Sequence, residues 1–333
     1  MAATIKDVAK YAGVSISTVS KYINGGRVRE KNRQRIEEAI KALDFKVNEL
    51  ARGLKTNRTM TVGVLIPSLE NIFFTSIISY MENILLKNRY STIVCDYRND
   101  VKLEKIKFEF LMDKMVDGII MVPHEEDIQY INKAFEKNIP VVLIDRMIKG
   151  IECDVVLTDN LNASYNAVEQ LIMRGHRRIG IICGPKDVYT TQERLKGYIR
   201  VHEDYSLQID DRLIKFGNYD VESGYNLLLR LLEEVPPPSA VFVTNYEMTV
   251  GAVMAVNEKN ICIPHDLSLI GFDNIQLAKV VKPSLSIVTQ PIQQIGETAA
   301  SILLKRMKGN YDKFPSVYRL KTQLLLGESI CNI

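Results

Sequence analysis

The sequence predicts an all-α helix-turn-helix headpiece followed by an α/β body of two doubly wound, parallel-sheet lobes, and three observations predict it. Two short helical patterns meet at a glycine near the start of the chain, positive charge is concentrated in that same stretch, and from Met60 onward apolar strand patterns alternate with helical ones. The 333 residues, 46 % of them hydrophobic, are enough for two or three separate cores.

The opening stretch, residues 4–24, reads TIKDVAKYAGVSISTVSKYIN. Ile5, Val8 and Ala9 recur at helical spacing behind Thr4, whose hydroxyl can cap the helix while Asp7 sits three residues later, giving about two turns. Gly13 supplies the permissive backbone of a tight turn, Val14 can plug the angle between helices, and Ser15 is a good N-cap for a second helix through Ile23. That second helix presents Ile16, Ser17 and Lys21 outward near its N-terminal half, the end that meets base edges in the major groove. The candidate DNA contacts here are Thr4, Ser15, Ile16, Ser17, Thr18, Lys21 and Asn24. A two-helix corner of an ordinary core is the plain alternative, but charge argues against it. Residues 1–58 carry 13 Lys plus Arg against 6 Asp plus Glu, whereas the remainder carries 30 against 34. Phosphate contacts need that concentration of cations.

Glu30 to Leu43 forms a third helix with Ile36, Ala39, Ile40 and Leu43 on one face, closing a small headpiece over residues 1–46. Asn48 can then cap a short helix from Glu49 to Leu54, and Lys55 to Thr61 is polar and linker-like, so residues 47–60 read as hinge and linker. A helix that short is marginal in isolation.

From Met60 the strand patterns are Thr61 to Ile66, Thr92 to Cys95, Gly118 to Val122 and Pro140 to Ile144. Helical patterns separate them at Thr75 to Lys87, Lys102 to Lys114 and Ile128 to Lys137. The alternation restarts with helices Leu161 to Met173, Gln192 to Val201, Ser223 to Leu232 and Glu247 to Glu258, and strands Arg178 to Ile182, Ala240 to Val243 and Leu267 to Ile270. Two such sheets argue two lobes with helices on both faces. Ligands of parallel α/β lobes sit beyond the carboxyl ends of strands, so the polar residues there are effector candidates. Asn71 and Phe73 follow the first strand, Asp145 and Arg146 follow VVLI, Asn245 follows AVFVT and Asp273 follows SLIGF. A carboxylate accepts paired hydroxyls, a guanidinium donates in a planar fork, and an aromatic face covers a ring.

Several classes are excluded as expectations. No stretch approaches eighteen consecutive apolar residues and the N-terminus is basic and amphipathic rather than a signal, so a cytoplasmic protein without membrane contact is expected. The five cysteines are far apart, without a CxxC pair, so neither disulfides nor a metal site is expected. His124 and His265 fall in loops, His176 in a helix-to-strand turn and His202 on a surface helix, none with a partner at triad or metal spacing. There is neither GxGxxG nor GxxxxGK, which leaves an enzyme using a nucleotide or hydride cofactor without its phosphate loop. The chain is read as a non-enzyme with no cofactor.

The stretches TIKDVAKYAGVS, STVS and NELARGL, then VDGIIMVP, VVLIDR, RGHRRIG, ERLKGY, ESGY and SLIGFDN, resemble in order the lactose repressor family of bacterial transcription regulators. The resemblance covers nearly the whole chain. It implies lobes of periplasmic-binding-protein type joined by three crossings, with a first lobe of about 61–158 plus 289–319 and a second of about 159–288 plus 320–333. Periodicity alone draws two sequential domains instead. It implies that the hinge helix forms on operator DNA and wedges Leu54, beside Ala51 and Lys55, into a central base step, trading unstacking for a bend. It also matches Arg194 and Asp273 to effector-binding positions and Tyr219 to an aromatic that stacks on ligand, with Gln290 on the segment recrossing between lobes.

The chain departs from that family's pattern in places. Tyr246 stands where an acidic residue usually follows Asn245, Lys21 replaces an arginine of the recognition helix, and Arg29 and Asn32 replace small hydroxyl residues at the start of the third helix. The expected protein is a homodimeric repressor that binds double-stranded operator DNA under control of a small effector, a sugar or sugar derivative, between its lobes. No added leucine heptads point to a tetramer. The alternatives are a periplasmic-type solute receptor without DNA function and a regulator answering to a phosphocarrier protein.

Overall fold

The structure, a computed structural model, describes residues 3–23, 26–45, 58–124, 129–148, 150–273 and 275–333. The chain divides into two units, Met1–Met60 and Thr61–Ile333. Asn24 and the hinge positions Asn48, Ala51, Leu54 and Lys55 lie outside the described residues.

The first unit holds α1 (Ile5–Ala12), α2 (Ile16–Ile23) and α3 (Glu30–Ala42). Thr4 and Asp7 form a reciprocal capping box: the Thr4 hydroxyl accepts from the Asp7 N–H at 3.4 Å and the Asp7 carboxylate accepts from the Thr4 N–H at 2.9 Å. Those bonds to Thr4 hold the Asp7 carboxyl below its ordinary range. Gly13 ends α1 in the left-handed region at φ 63°, which only glycine occupies without strain. Ser15 caps α2 by accepting the Thr18 N–H at 3.2 Å. Val8, Ala9, Ala12, Val19, Ile36 and Ala39 make the small core, and the Tyr22 hydroxyl donates to Glu37 at 2.8 Å to tie α2 to α3.

The second unit runs β1 (Thr61–Ile66), α4 (Ile72–Lys87), β2 (Ser91–Asp96), α5 (Val101–Asp113), β3 (Gly118–Met121), α6 (Asn132–Glu136), β4 (Val141–Ile144) and β5 (Asp154–Thr158). It continues with α7 (Asn160–Met173), β6 (Ile179–Cys183), α8 (Tyr189–Asp204), β7 (Ile214–Phe216), α9 (Val221–Leu232), β8 (Ala240–Val243), α10 (Tyr246–Glu258) and β9 (Ser268–Phe272). The last elements are α11 (Ile275–Val280), β10 (Ser286–Thr289), α12 (Ile292–Met307), β11 (Val317–Leu320) and β12 (Gln323–Leu325).

These strands form two six-stranded sheets, ordered β11-β5-β4-β3-β1-β2 and β12-β10-β9-β8-β6-β7. Every pairing is parallel except β10 with β12. The chain crosses from the first sheet to the second after β5, returns after β10 and crosses again between β11 and β12. Along the second sheet, alternate residues serve opposite faces. Ile182, Val241 and Leu269 enter one cluster, while Ile181, Phe242 and Ile270 enter the other. On the first lobe α12 lies against α4 at Gly296, where an added Cβ would stand 2.7 Å from the Ile77 carbonyl oxygen.

Some elements differ from the sequence reading. Strand β5 opens on a fully buried Asp154 that interrupts the apolar pattern; its charge is matched by Arg306, whose Nε and Nη2 donate to it at 2.7 and 2.8 Å. Strand β7 is only three residues long, too short for a period to show, and α11 and β10 also go beyond the reading. Helix α4 starts at Ile72 rather than Thr75 because Asn71 caps it, and the pattern at 128–137 is a 3-10 turn, Gln129–Ile131, leading into the short α6. His202 is 1 % exposed rather than on the surface, with its ring 4.2 Å from that of Tyr198 and its Nδ1 at 2.8 Å from the Tyr198 carbonyl.

Candidate functional site

In the first unit, the start of α2 carries a knot of hydroxyls on its exposed side. Ser15 Oγ lies 2.8 Å from Ser17 Oγ and 2.7 Å from Thr18 Oγ1, so these groups are oriented before any ligand arrives. Beside them Ile16 is left 46 % exposed and Lys21 is exposed, an apolar contact and a point charge on the same helix. Thr4 is exposed, with its hydroxyl donating to Asp7 at 2.7 Å. Arg29 precedes α3 as a cap residue without a side-chain cap bond and is exposed. The small hydroxyl that would cap there is traded for a cation.

In the second unit, the carboxyl ends of both sheets face a cavity of about 450 Å³, and all nine effector candidates line it. From the first lobe come Asn71, Phe73, Asp145 and Arg146; from the second, Arg194, Tyr219, Asn245, Asp273 and Gln290. Asp145 and Asp273 hold corresponding places in the two sheets. Each follows the third strand of its sheet's order, each adopts a left-handed backbone, φ 67° and 62°, and each N–H donates to the neighbouring strand, Val156 O at 3.0 Å and Val288 O at 2.7 Å. A non-glycine residue held there stores roughly 1 kcal/mol or more of strain, which the paired strands enforce. The two carboxylates therefore enter one cavity from opposite lobes.

The second-lobe wall is the more constrained. The Arg194 guanidinium lies 3.9 Å over the Phe272 ring, its Nε donates to Asn160 Oδ1 at 2.8 Å, and Nη1 donates to the Thr244 carbonyl. Stacking and two bonds fix the plane of the fork. Asp273 accepts from Gln290 Nε2 at 2.9 Å, while Gln290 Oε1 accepts the Thr158 hydroxyl at 2.8 Å. Gln290 thus positions Asp273, and its amide is largely spent on that. The other oxygen of Asp273, Oδ1, is buried without a hydrogen-bond partner among the described residues, an unpaired acceptor on a residue of the cavity wall. Burial pushes the Asp273 carboxyl up to about 6, against the pull of Arg194. Burial also raises Asp145, with Arg146 and Arg194 opposing it, and Asp145 lies 3.8 Å from Arg146.

Aromatic faces come from both lobes. Phe73 and Phe74 meet edge to face at 5.2 Å on the first lobe. On the second, the Tyr219 hydroxyl lies 2.6 Å from Thr191 Oγ1 and 3.1 Å from Thr190 Oγ1, and the ring rests on Gly184, where a Cβ would come within 2.1 Å of it.

Sequence reasoning missed Glu247. Its Oε1 accepts from Asn71 Nδ2 of the first lobe at 2.8 Å and its Oε2 accepts from Asn245 Nδ2 of the second at 2.7 Å. Asn71 and Asn245 also cap α4 and α10 with their side-chain oxygens, so both are frame as much as contact surface. Tyr246 stands where the family pattern has an acidic residue, and the structure puts an acid on the wall one residue later, in the first turn of α10. Phe74, Thr190 and Asn218 also line the cavity and carried no separate sequence signal.

No helix among the described residues is long and apolar enough to cross a membrane. Residues 4–48 match the family of bacterial regulatory proteins called the lacI family, and residues 168–330 match the periplasmic binding protein-like domain. The HTH-type transcriptional repressor PurR of Proteus mirabilis (strain HI4320) is 36 % identical over 309 residues, 92 % of this chain and 90 % of that protein. The lac repressor dimer bound to operator and the anti-inducer ONPF superposes with a TM-score of 0.88 at 24 % identity, covering 99 % of this chain and 100 % of that one. The transcriptional regulator CelR in complex with cellobiose superposes with a TM-score of 0.75 at 27 % identity, covering 98 % of this chain and 99 % of that one.

Proposed function

The chain belongs to the lacI family of bacterial regulatory proteins and is a DNA-binding transcriptional repressor, not an enzyme; from that premise we propose that a small polar ring compound, a sugar or sugar derivative, sets its operator affinity from the cavity between the lobes. The observation that carries this reading is the pairing of a stacked, bonded Arg194 with an Asp273 whose Oδ1 is buried without a partner among the described residues, both on the cavity wall. A donor fork beside an unpaired acceptor suits vicinal hydroxyls, and Phe73 and Tyr219 supply ring faces. The cellobiose complex of CelR supports a sugar. A flat nitrogen heterocycle is the second reading, favoured by the aromatic side chains on both lobes and by the alternation of donor and acceptor at Arg194 and Asp273.

In the same proposal, Ser15, Ile16, Ser17, Thr18, Lys21 and Asn24 read base edges, Thr4 and Lys55 contact phosphates, and Ala51 and Leu54 form the minor-groove wedge. The protein acts as a homodimer in the cytoplasm on a pseudo-palindromic operator. Exposed Ile72 and Tyr80 on α4, with Met254, Ile275 and Val280 on the second lobe, offer apolar surface for that pairing. The test is a thermal-shift screen of the full chain against neutral sugars and purines, followed by operator titration with each hit. Ligand at 100 times its dissociation constant should stabilise by about 2.7 kcal/mol. Hits that leave operator affinity unchanged would reject the reading.

A further inference from the structure

We propose that Glu247 fixes the charge class of the effector, admitting neutral or cationic ring compounds and excluding their phosphorylated or carboxylated derivatives. This rests on the cavity being the effector site. Among the described residues that line it, two guanidinium groups, Arg146 and Arg194, are the cationic side chains, against five carboxylates. Most of those carboxylates have other business. Asp145 lies 3.8 Å from Arg146, Asp273 interacts through space with Arg194, and Asp220 accepts the Ser223 N–H at 2.6 Å to cap α9. Glu70 is exposed at the rim.

Glu247 is different. Its two oxygens are held by neutral amides, Asn71 at 2.8 Å and Asn245 at 2.7 Å, so its position is fixed from both lobes while no cation among the described residues acts on its charge. An uncompensated carboxylate in a partly desolvated wall repels a second anion far more than it would in water, and it welcomes hydroxyl or ammonium donors on its remaining lone pairs. Burial pushes this carboxyl up to about 7, so it is mostly ionised at about pH 8, where the test is set.

The experiment is isothermal titration of the full chain, at one ionic strength, with matched probes: ribose and ribose 5-phosphate, glucose, glucosamine and glucose 6-phosphate, and a purine nucleoside and its 5′-monophosphate. Wild type should bind a neutral or cationic member at least about tenfold tighter than its phosphate ester, about 1.4 kcal/mol. Glu247→Gln, which keeps one acceptor for the flanking amides and loses the charge, should cut that ratio by roughly threefold or more, whereas Glu247→Asp should retain it even though its reach to Asn71 is shorter. Steric rejection of the ester would survive Glu247→Gln unchanged. A ratio near one in wild type, or an equal ratio in wild type and Glu247→Gln, overturns the inference and leaves the effector reading standing. Absence of binding by every probe overturns the ring-compound reading and this inference with it.

Discussion

Replacing Glu104 by glutamine should change the pH dependence of stability more than stability itself. Glu104 lies on α5 behind the first-lobe wall, fully buried, with Oε1 accepting the His124 N–H at 3.0 Å. Burial pushes its carboxyl up to about 7 from an ordinary value of 4.5, against the pull of the His124 N–H, the Tyr130 hydroxyl and the Arg146 charge. A raised folded value means that the native state holds the proton more tightly than the unfolded chain. The stabilisation is therefore complete below the unfolded value and is lost as pH rises through about 7. At 1.36 kcal/mol per unit the difference is on the order of 3 kcal/mol between acid and alkaline conditions. Glutamine keeps the acceptor for His124 and removes the ionisation, so Glu104→Gln should gain on the order of 3 kcal/mol relative to wild type between about pH 5 and pH 8. Urea denaturation of the full chain at matched protein concentration measures it. Asp273 and Glu247 are raised in the same direction but are common to both proteins and cancel in the comparison. Parallel stability profiles for the two proteins would show that Glu104 does not take up a proton on folding.

Three further outcomes are expected. Gly184→Ala places a methyl where the Tyr219 ring lies, 2.1 Å away, and should weaken effector binding by about tenfold with little effect on operator binding, as titration of each would report. A fragment starting at Thr61, which retains both sheets and their cores, should fold and bind effector with no operator binding; aggregation or a monomer in sedimentation would reject the boundary. Leu54→Ala should weaken operator binding by more than about tenfold while leaving salt-dependent binding to random DNA nearly intact, and equal loss on both DNAs would reject the wedge.

Local chemistry was the legible part of this chain. Thr4, Asp7, Gly13 and Ser15 do in the structure what their spacing predicts, because caps and turns depend on residues a few positions apart. Asp145, Asp273 and Asn245 were placed by one topological rule, that parallel sheets present ligands beyond their carboxyl ends. What could not be read depends on long sequence separation. Asn71 and Glu247 lie 176 residues apart, and nothing in either neighbourhood announces the bond between them. Glu247 also stands one position beyond Tyr246, off the place where the family pattern has its acid. Asp154 masked a strand because a charge at its start is tolerable only with Arg306, 152 residues away. The return of β11 to the first sheet was beyond periodicity altogether, which draws sequential domains; only the resemblance to a family suggested it.

In the proposed function a ligand held by Arg194 and Asp273 changes operator affinity at a distance. Fluorescence anisotropy on a labelled operator, with a ligand recovered from the sugar and purine screen titrated in, tests it most directly on wild type, Arg194→Ala and Asp273→Ala. Wild type should shift its operator affinity by about tenfold or more in one direction, about 1.4 kcal/mol of coupling, while both variants bind operator as wild type does and shift by less than about twofold. Variants that respond to the ligand as wild type does would rule out Arg194 and Asp273 as the effector's hold.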